Sequence, residues 1–442
     1  MTAPRWMRYP ARRLVAALGL LLLAPAAAAA QDLAVRGATI LTVTKGTIEN
    51  GTVVIRNGKI AAVGGPEVTI PPGVRVIDGR GMYVMPGIID SHSHLAIEGG
   101  INEGSEPVTP EVVIPVRHDD PGIYRALAGG VTTMNVLHGS ANVIGGQNAV
   151  LKLRFGRPAE ELYFEGAPRG IKFALGENPK RSNFPTLPGA TRRYPATRMG
   201  VEDLLRYWFT RAKEYMEEWD RYERESRRNR NLVPPRKDLR LETLADILRG
   251  EIRVHAHSYR ADEILMLIDV AEEFGFTIAT FQHVLEGYKV ADEIARHGAG
   301  ASTFADNWAY KIEAYDAIPY NMALMTQRGV RVSINSDSGE RIRRLYQEAA
   351  KAMKYGGVTE EQALAMITIN PAMDLGVEDR VGSIEVGKDG DLAIFNGHPF
   401  APASRVEMTI IDGIVYFDRS QATTLEKLLG RPAATTTTED GQ

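Results

Sequence analysis

The chain has 442 residues, 44% of them hydrophobic and 24% charged, with a formal net charge of -3 and no cysteine. This length predicts a large domain with a smaller companion, and the composition is that of a globular protein. It offers no basic field for nucleic acid, and the missing cysteines exclude disulfides, thiolate-bound zinc, iron–sulfur clusters and a thiol nucleophile.

In chain order, the first segment reads as an address. Arg5, Arg8, Arg12 and Arg13 precede an apolar run from Leu14 to Leu23; Pro25 and the small residues Ala26 to Ala30 follow. A basic start, a short apolar core and an Ala-x-Ala site predict a signal peptide over 1–30 and a periplasmic or secreted protein. The core is shorter than the roughly 20 residues of a membrane-spanning helix, so the mature chain is expected not to span a membrane.

Residues 32–82 predict short strands. Ala38-Thr-Ile-Leu-Thr-Val, Thr52-Val-Val-Ile-Arg and Lys59-Ile-Ala-Ala-Val are rich in β-branched residues, and Asn57-Gly58 between two of them is a hairpin signal. The pattern returns over 386–420, where Asp412-Gly413 separates Met408-Thr-Ile-Ile from Ile414-Val-Tyr-Phe. Both ends are therefore expected to build one small β-sandwich domain. Between them, strands and helices alternate: Val84 to Asp90, Ile123 to Ala128, Val131 to Val136, Ile252 to His255, Ala261 to Phe274, Thr277 to Phe281, Tyr288 to Arg296, Val330 to Asn335 and Arg341 to Tyr355. Such alternation predicts an α/β fold with a parallel sheet, a (β/α)8 TIM-like barrel over 83–385, whose active site sits where strands end. Residues 201–250 read as a charged helical insertion, a solvated surface helix or hairpin, and 421–442 as a polar tail.

The chemistry lies in where the nine histidines fall. His92-Ser-His94 follows an apolar strand, and residues two apart on a strand face one side, so both imidazoles can bind one metal. Val254-His255-Ala-His257, Gln282-His283 and Asn335-Ser-Asp337 end further strands. One such residue is explained as a cap or a structural hydrogen bond; together they converge on one mouth. His138 ends another strand and reads as structural, and Tyr288 as a possible substrate contact. Gly99-Gly100 and Gly145-Gly146 are loop glycines outside any strand–GxGxxG–helix unit, so no dinucleotide site is expected. Ser91 and Ser93 point away on their strand, which speaks against a serine nucleophile.

These residues resemble the metal-dependent amidohydrolases. The similarity lies in Gly81-Met-Tyr-Val-Met-Pro-Gly-Ile-Ile-Asp-Ser-His-Ser-His-Leu, in Thr368-Ile-Asn-Pro-Ala and in Gly382-Ser-Ile-Glu-Val-Gly-Lys-Asp-Gly-Asp-Leu-Ala-Ile-Phe, and it extends over 32–418. Gly130-Val-Thr-Thr and Gly170-Ile-Lys-Phe-Ala look like the imidazolonepropionase-like and Xaa-Pro dipeptidase-like branch. The resemblance implies His92, His94, His255, His283 and Asp337 as metal ligands, Asp337 also as general base and acid, and His257 as a substrate contact, with an exchange of His255 and His257 as the alternative. It implies a carboxylated lysine bridging two ions. Lys172 fits, being an ammonium inside an apolar strand that must be neutralised or paired; a structural lysine paired with Glu177 is the other reading, and Lys152 is a weaker candidate. Asn335-Ser-Asp337-Ser-Gly departs from the more common Thr-Asp form of the family and leaves recognition open.

A His/carboxylate set suits Zn²⁺, with Mn²⁺, Fe²⁺ or Co²⁺ as substitutes, one or two ions in all. The expected reaction is hydrolysis of a C–N bond in an amide, cyclic amide or dipeptide, on a small-molecule or short-peptide substrate. A deaminase of the same superfamily and a non-catalytic barrel are the rivals. Residues 96–120 and 305–320, with Asn307, Trp308 and Tyr310, are the expected substrate walls. A homo-oligomer is compatible with all of this.

Overall fold

A computed structural model describes residues 32–98, 106–180 and 193–422. The signal segment and most of the tail lie outside the described residues.

The strands run β1 (Leu33–Leu41), β2 (Thr47–Arg56), β3 (Lys59–Gly64), β4 (Arg75–Asp78) and β5 (Tyr83–Pro86) at the start. The middle holds β6 (Ile88–Ser93), β7 (Val131–Val136), β8 (Ile144–Gln147), β9 (Ala149–Lys152), β10 (Arg169–Ala174), β11 (Ile252–Ser258), β12 (Ile278–His283), β13 (Gly300–Thr303) and β14 (Arg331–Ile334). At the end stand β15 (Leu392–Phe395), β16 (Val406–Ile411) and β17 (Ile414–Asp418).

Both ends share one eight-stranded sheet, ordered β17-β16-β15-β5-β1-β2-β3, with β4 beside β1. Where two sandwiched sheets were expected, the strand pairing is continuous. Bulges between Arg36 and Ala38 and between Ala38 and Ile40 bend β1, and the sheet keeps its own apolar cluster, including Val35, Ile40, Ile55, Val84, Leu392 and Ile410. Asn57-Gly58 and Asp412-Gly413 each place two successive residues at positive φ (49° and 77°, 51° and 75°), as a type I′ hairpin turn requires.

The stretch 84–90, which reads as one strand, is cut in two. Pro86-Gly87 turns the chain from the end sheet into β6, and a side chain at Gly87 would stand 2.1 Å from Thr132 Oγ1. From there the fold is α/β. Strands β10 to β14 are parallel neighbours, with β8 antiparallel at the edge of β10; β6 and β7 are parallel, with β9 antiparallel beside β7. Among the described residues these ladders form arcs of six and three strands. They meet where Asp337 N–H donates to His92 O (3.1 Å) and Ser336 N–H to Asp90 Oδ1 (2.9 Å).

The charged insertion corrects the expectation in part. It is a helix over Arg198–Ser226, capped by Thr197 Oγ1 on Gly200 N–H, and a second over Leu239–Leu248. Val201, Leu204, Leu205, Phe209, Ala212 and Tyr215 recur at helical spacing and are buried. Phe209 stacks on Phe276 with ring centroids 4.6 Å apart. The charge run after Tyr215 drew attention from this apolar stripe, and only the distal half of the helix is solvated. The expected helices at 288–296 and 341–355 each begin as a short 3₁₀ turn, at Gly287–Lys289 and Arg341–Arg344, before Ala291–His297 and Leu345–Gly356.

Candidate metal centre

Asp90, Ser91, His92 and Ser93 are all buried at the end of β6. His92 Nδ1 stands 3.1 Å from Gln282 Oε1, and His94 Nδ1 2.6 Å from Leu137 O. Both contacts hold the proton on Nδ1 and leave Nε2 as the free donor, as a metal-binding imidazole requires. Those Nε2 atoms approach one carboxylate oxygen: Asp337 Oδ1 is 3.0 Å from His94 Nε2 and 3.7 Å from His92 Nε2. These three residues form the one compact His/carboxylate group among the described residues.

The aim of Asp337 is set by its neighbours. Asp90 accepts from Ser336 Oγ at 2.5 Å and from Ser336 N–H, and Asn335 donates to Ser302 Oγ at 2.7 Å. Burial pushes the Asp90 carboxyl up to about 7, against the Ser336 hydrogen bonds. Asp337 itself has φ 44° and His283 φ 70°, a conformation that costs free energy for a side-chain-bearing residue and is held by its surroundings. It has a use at His283. Strand alternation would send Gln282 and His283 to opposite faces, yet Gln282 reaches His92 and the His283 ring stands 4.7 Å from that of His92. Gln282 is a site residue that the sequence reading missed; only its adjacency to His283 pointed to it.

Lys172 is fully buried on β10. Its Nζ donates to His138 O (2.7 Å) and stands 3.3 Å from His92 Nε2. Further along the chain, the Glu177 backbone N–H donates to Glu313 Oε2 at 2.9 Å. Lys152 is excluded as a ligand, because its Nζ is held by Asp389, Asp391 and Asp412 at 2.7, 3.2 and 2.5 Å, away from the histidines. His138 is structural. Its Nδ1–H donates to Gly139 O (2.6 Å) and its Nε2 accepts from Gly146 N–H (2.7 Å).

The two β11 histidines sit in different surroundings. His257, expected only at the substrate, has its ring 4.7 Å from that of His283, and Ser140 Oγ lies 3.1 Å from its Nδ1. His255, expected as the ligand, lies in register with Lys172. Burial and then the Arg253 charge lower its pKa to about 3. His257 is two residues nearer the strand end, in register with Gln282. His255 Nδ1, His257 Nε2 and His283 Nδ1 are all buried without a hydrogen-bond partner. Orphaned buried nitrogens are costly, and those of His257 and His283, whose rings stand 4.7 Å apart beside His92, fit ligands for a cation.

Electrostatics point the same way. Burial lowers His92 and His257 well below the ordinary imidazole range and His283 to about 3, so they stand neutral, as ligands must. Burial alone would raise Asp337, but His283, His94 and Lys172 outweigh it and hold the carboxyl below its usual range.

Of the expected walls, Tyr310 of the 305–320 loop donates to Tyr259 Oη at 2.6 Å, and the Tyr259 ring packs 4.7 Å from His257. Tyr259 was also missed. Tyr288 is spent elsewhere, its hydroxyl donating to Asp316 O. Part of the 96–120 wall, residues 99–105, lies outside the described residues.

Comparison with known proteins decides the family. The model of the "Amidohydrolase family" matches residues 83–415. The chain belongs to this family. It is 30% identical over 401 residues to the amidohydrolase tasK of Hapsidospora irregularis, covering 83% of this chain but 40% of that protein. It is 24% identical over 400 residues to the imidazolonepropionase of Fusobacterium nucleatum, covering 80% of this chain and 86% of that one. In structure it is similar to an amidohydrolase from Thermotoga maritima, with TM-score 0.79, 36% identity and coverage of 88% of this chain and 100% of that one. This amidohydrolase is therefore a hydrolase acting on C–N bonds, on the imidazolonepropionase-like branch.

Proposed function

We propose that this amidohydrolase cleaves an amide, cyclic amide or dipeptide bond with the help of one or two divalent cations, Zn²⁺ first. The observation that carries the reading is the convergence of His92, His94 and Asp337 on one point, with the His283 ring beside His92 and that of His257 beside His283, each keeping an orphaned nitrogen. We take the two arcs of strands as parts of a (β/α)8 barrel whose mouth this is, and the leading segment 1–30 as an export signal to the periplasm or beyond.

His92, His94 and Asp337 would hold one ion, and His283 with Lys172, carboxylated, would hold or bridge to a second. From β11 the ligand comes from His257, packed on His283, or from His255 Nδ1 just below it. A divalent cation supplies Lewis acidity toward a carbonyl and acidifies water to a pKa of about 7. The chain supplies the proton traffic. Asp337 Oδ1 faces the two histidines, so Oδ2 is free to take a proton from water and return it to the leaving nitrogen. Gln282 and Leu137 O keep the β6 imidazoles in the required tautomer, and Tyr259 with Tyr310 closes one side of the site.

The test is metal per chain by elemental analysis, in wild type and in His92→Ala, Lys172→Ala, His255→Ala and His257→Ala. Two ions falling to one without Lys172 support the carbamate bridge. One ion indifferent to Lys172 supports a mononuclear site and moves ammonia-releasing substrates forward. Whichever β11 variant loses metal names the ligand. No metal after supplemented preparation would refute the reading.

A further inference from the structure

Asp337 is followed four residues later by Arg341, at the start of the 3₁₀ turn Arg341–Arg344. Its guanidinium is anchored by neutral acceptors: Nη1 donates to Ser336 O at 2.8 Å and Nη2 to Asn307 Oδ1 at 2.6 Å. It lies 4.9 Å from the centroid of the Phe304 ring, and Phe304 in turn stacks on His283 at 5.2 Å and 14°. The cation is thus one aromatic ring away from the imidazole cluster. Neighbouring cations are compensated: Lys311 pairs with Glu313 at 2.7 Å, Lys351 with Asp306 at 2.5 Å, and Arg343 with Glu340. Among the described residues, Arg341 has no carboxylate within ion-pair reach although it is partly buried. A guanidinium has five N–H donors in a fork that matches a carboxylate. Here two neutral anchors fix the fork, and no counter-charge stands beside it among the described residues.

We propose that Arg341 recognises a free carboxylate on the substrate, next to the bond that is cleaved. The inference rests on the hydrolase reading above and narrows it to acidic amides: N-acyl amino acids, or dipeptides with a free C-terminal carboxylate. Asn307 is a positioning residue that holds the fork. Tyr259, which accepts from Tyr310 and packs on His257, closes the site on the His257 side, and Lys311, already paired with Glu313, takes no part in the selection.

The probes are N-acetyl-L-amino acids and their neutral methylamides, with binding followed by calorimetry on the full chain after metal supplementation. The proteins are wild type, Arg341→Gln, Arg341→Lys, Asn307→Leu and Lys311→Gln. Wild type should prefer the acids. Arg341→Gln should weaken acid binding by roughly tenfold to a hundredfold, the worth of a charge-assisted hydrogen-bond pair, and leave the methylamides unmoved. Arg341→Lys, which keeps the charge and loses the fork, should fall between, as should Asn307→Leu. Lys311→Gln should keep the acid preference. Acid and methylamide binding weakened together would mark Arg341 as merely structural and overturn the proposal. So would an unchanged preference in Arg341→Gln, or a wild type that binds neither probe or both alike. Metal content of the same samples separates the two readings: an acid preference that depends on Arg341 in a metal-free protein would sink the hydrolase mechanism and keep the carboxylate site.

Discussion

Two lysines show how differently one sequence pattern can be used. Lys152 in Val-Leu-Lys-Leu and Lys172 in Gly-Ile-Lys-Phe both interrupt an apolar strand, and both are fully buried. Lys152 ends β9 against the end sheet, where Asp389, Asp391 and Asp412 surround it and Arg154, Arg380 and Lys59 balance the surplus. That cluster ties the smaller sheet to the α/β body. Lys172 sits among His92, His138 O and Asp337's field. One region is a finished ion network. The other keeps orphaned nitrogens and a strained backbone at its centre, as a binding site does.

The widest separation of the two regions should come from activity. Asp337→Ala removes both a ligand and the proton carrier, so kcat/KM should drop by about a thousandfold or more, with an unfolding curve close to wild type. An active variant would place the proton transfer elsewhere.

Stability should separate the regions in the opposite sense. Lys152→Met leaves Asp389 and Asp391 buried without their central cation, at a cost of about 3–5 kcal/mol, read by urea unfolding, with metal content intact. Lys172→Met should cost less stability and lower the metal content. Equal stability losses would erase the distinction drawn between the lysines.

A smaller effect comes from a carboxylate in neither cluster. Burial pushes Glu263 up to about 7 despite Arg198, with Glu313 adding to the rise. The folded chain therefore holds a proton that the unfolded chain has lost between about pH 4.5 and 7. Its stabilising effect is full below about 4.5 and is lost as pH rises through 7. Glu263→Gln should flatten that fall by on the order of 1 kcal/mol, measured by unfolding at pH 5 and pH 7.5. An unchanged slope would mean that Arg198 keeps the group ionised throughout.

Much of the site was legible in the residues. His92, His94, His283 and Asp337 announced themselves because each ends an apolar strand, and Asn57-Gly58 and Asp412-Gly413 announced their turns because few residue pairs tolerate two positive φ values. Gln282 and Tyr259 were hidden, since they reach the site through a broken alternation at His283 and through packing against a loop distant in sequence. The buried stripe Val201 to Tyr215 was masked by the charges that follow it.

By itself the sequence determined what is local and periodic: the α/β alternation, the hairpin turns, the strand-end imidazoles and the absence of thiolate chemistry. The tertiary structure decided everything that depends on which strand ends meet: that Lys172 faces His92 while Lys152 faces three aspartates, that His257 rather than His255 packs on His283, and that Arg341 stands without a counter-ion among the described residues. The physical reason is that burial makes a charge expensive unless a partner arrives from elsewhere in the chain, and a sequence shows the charge but not the partner.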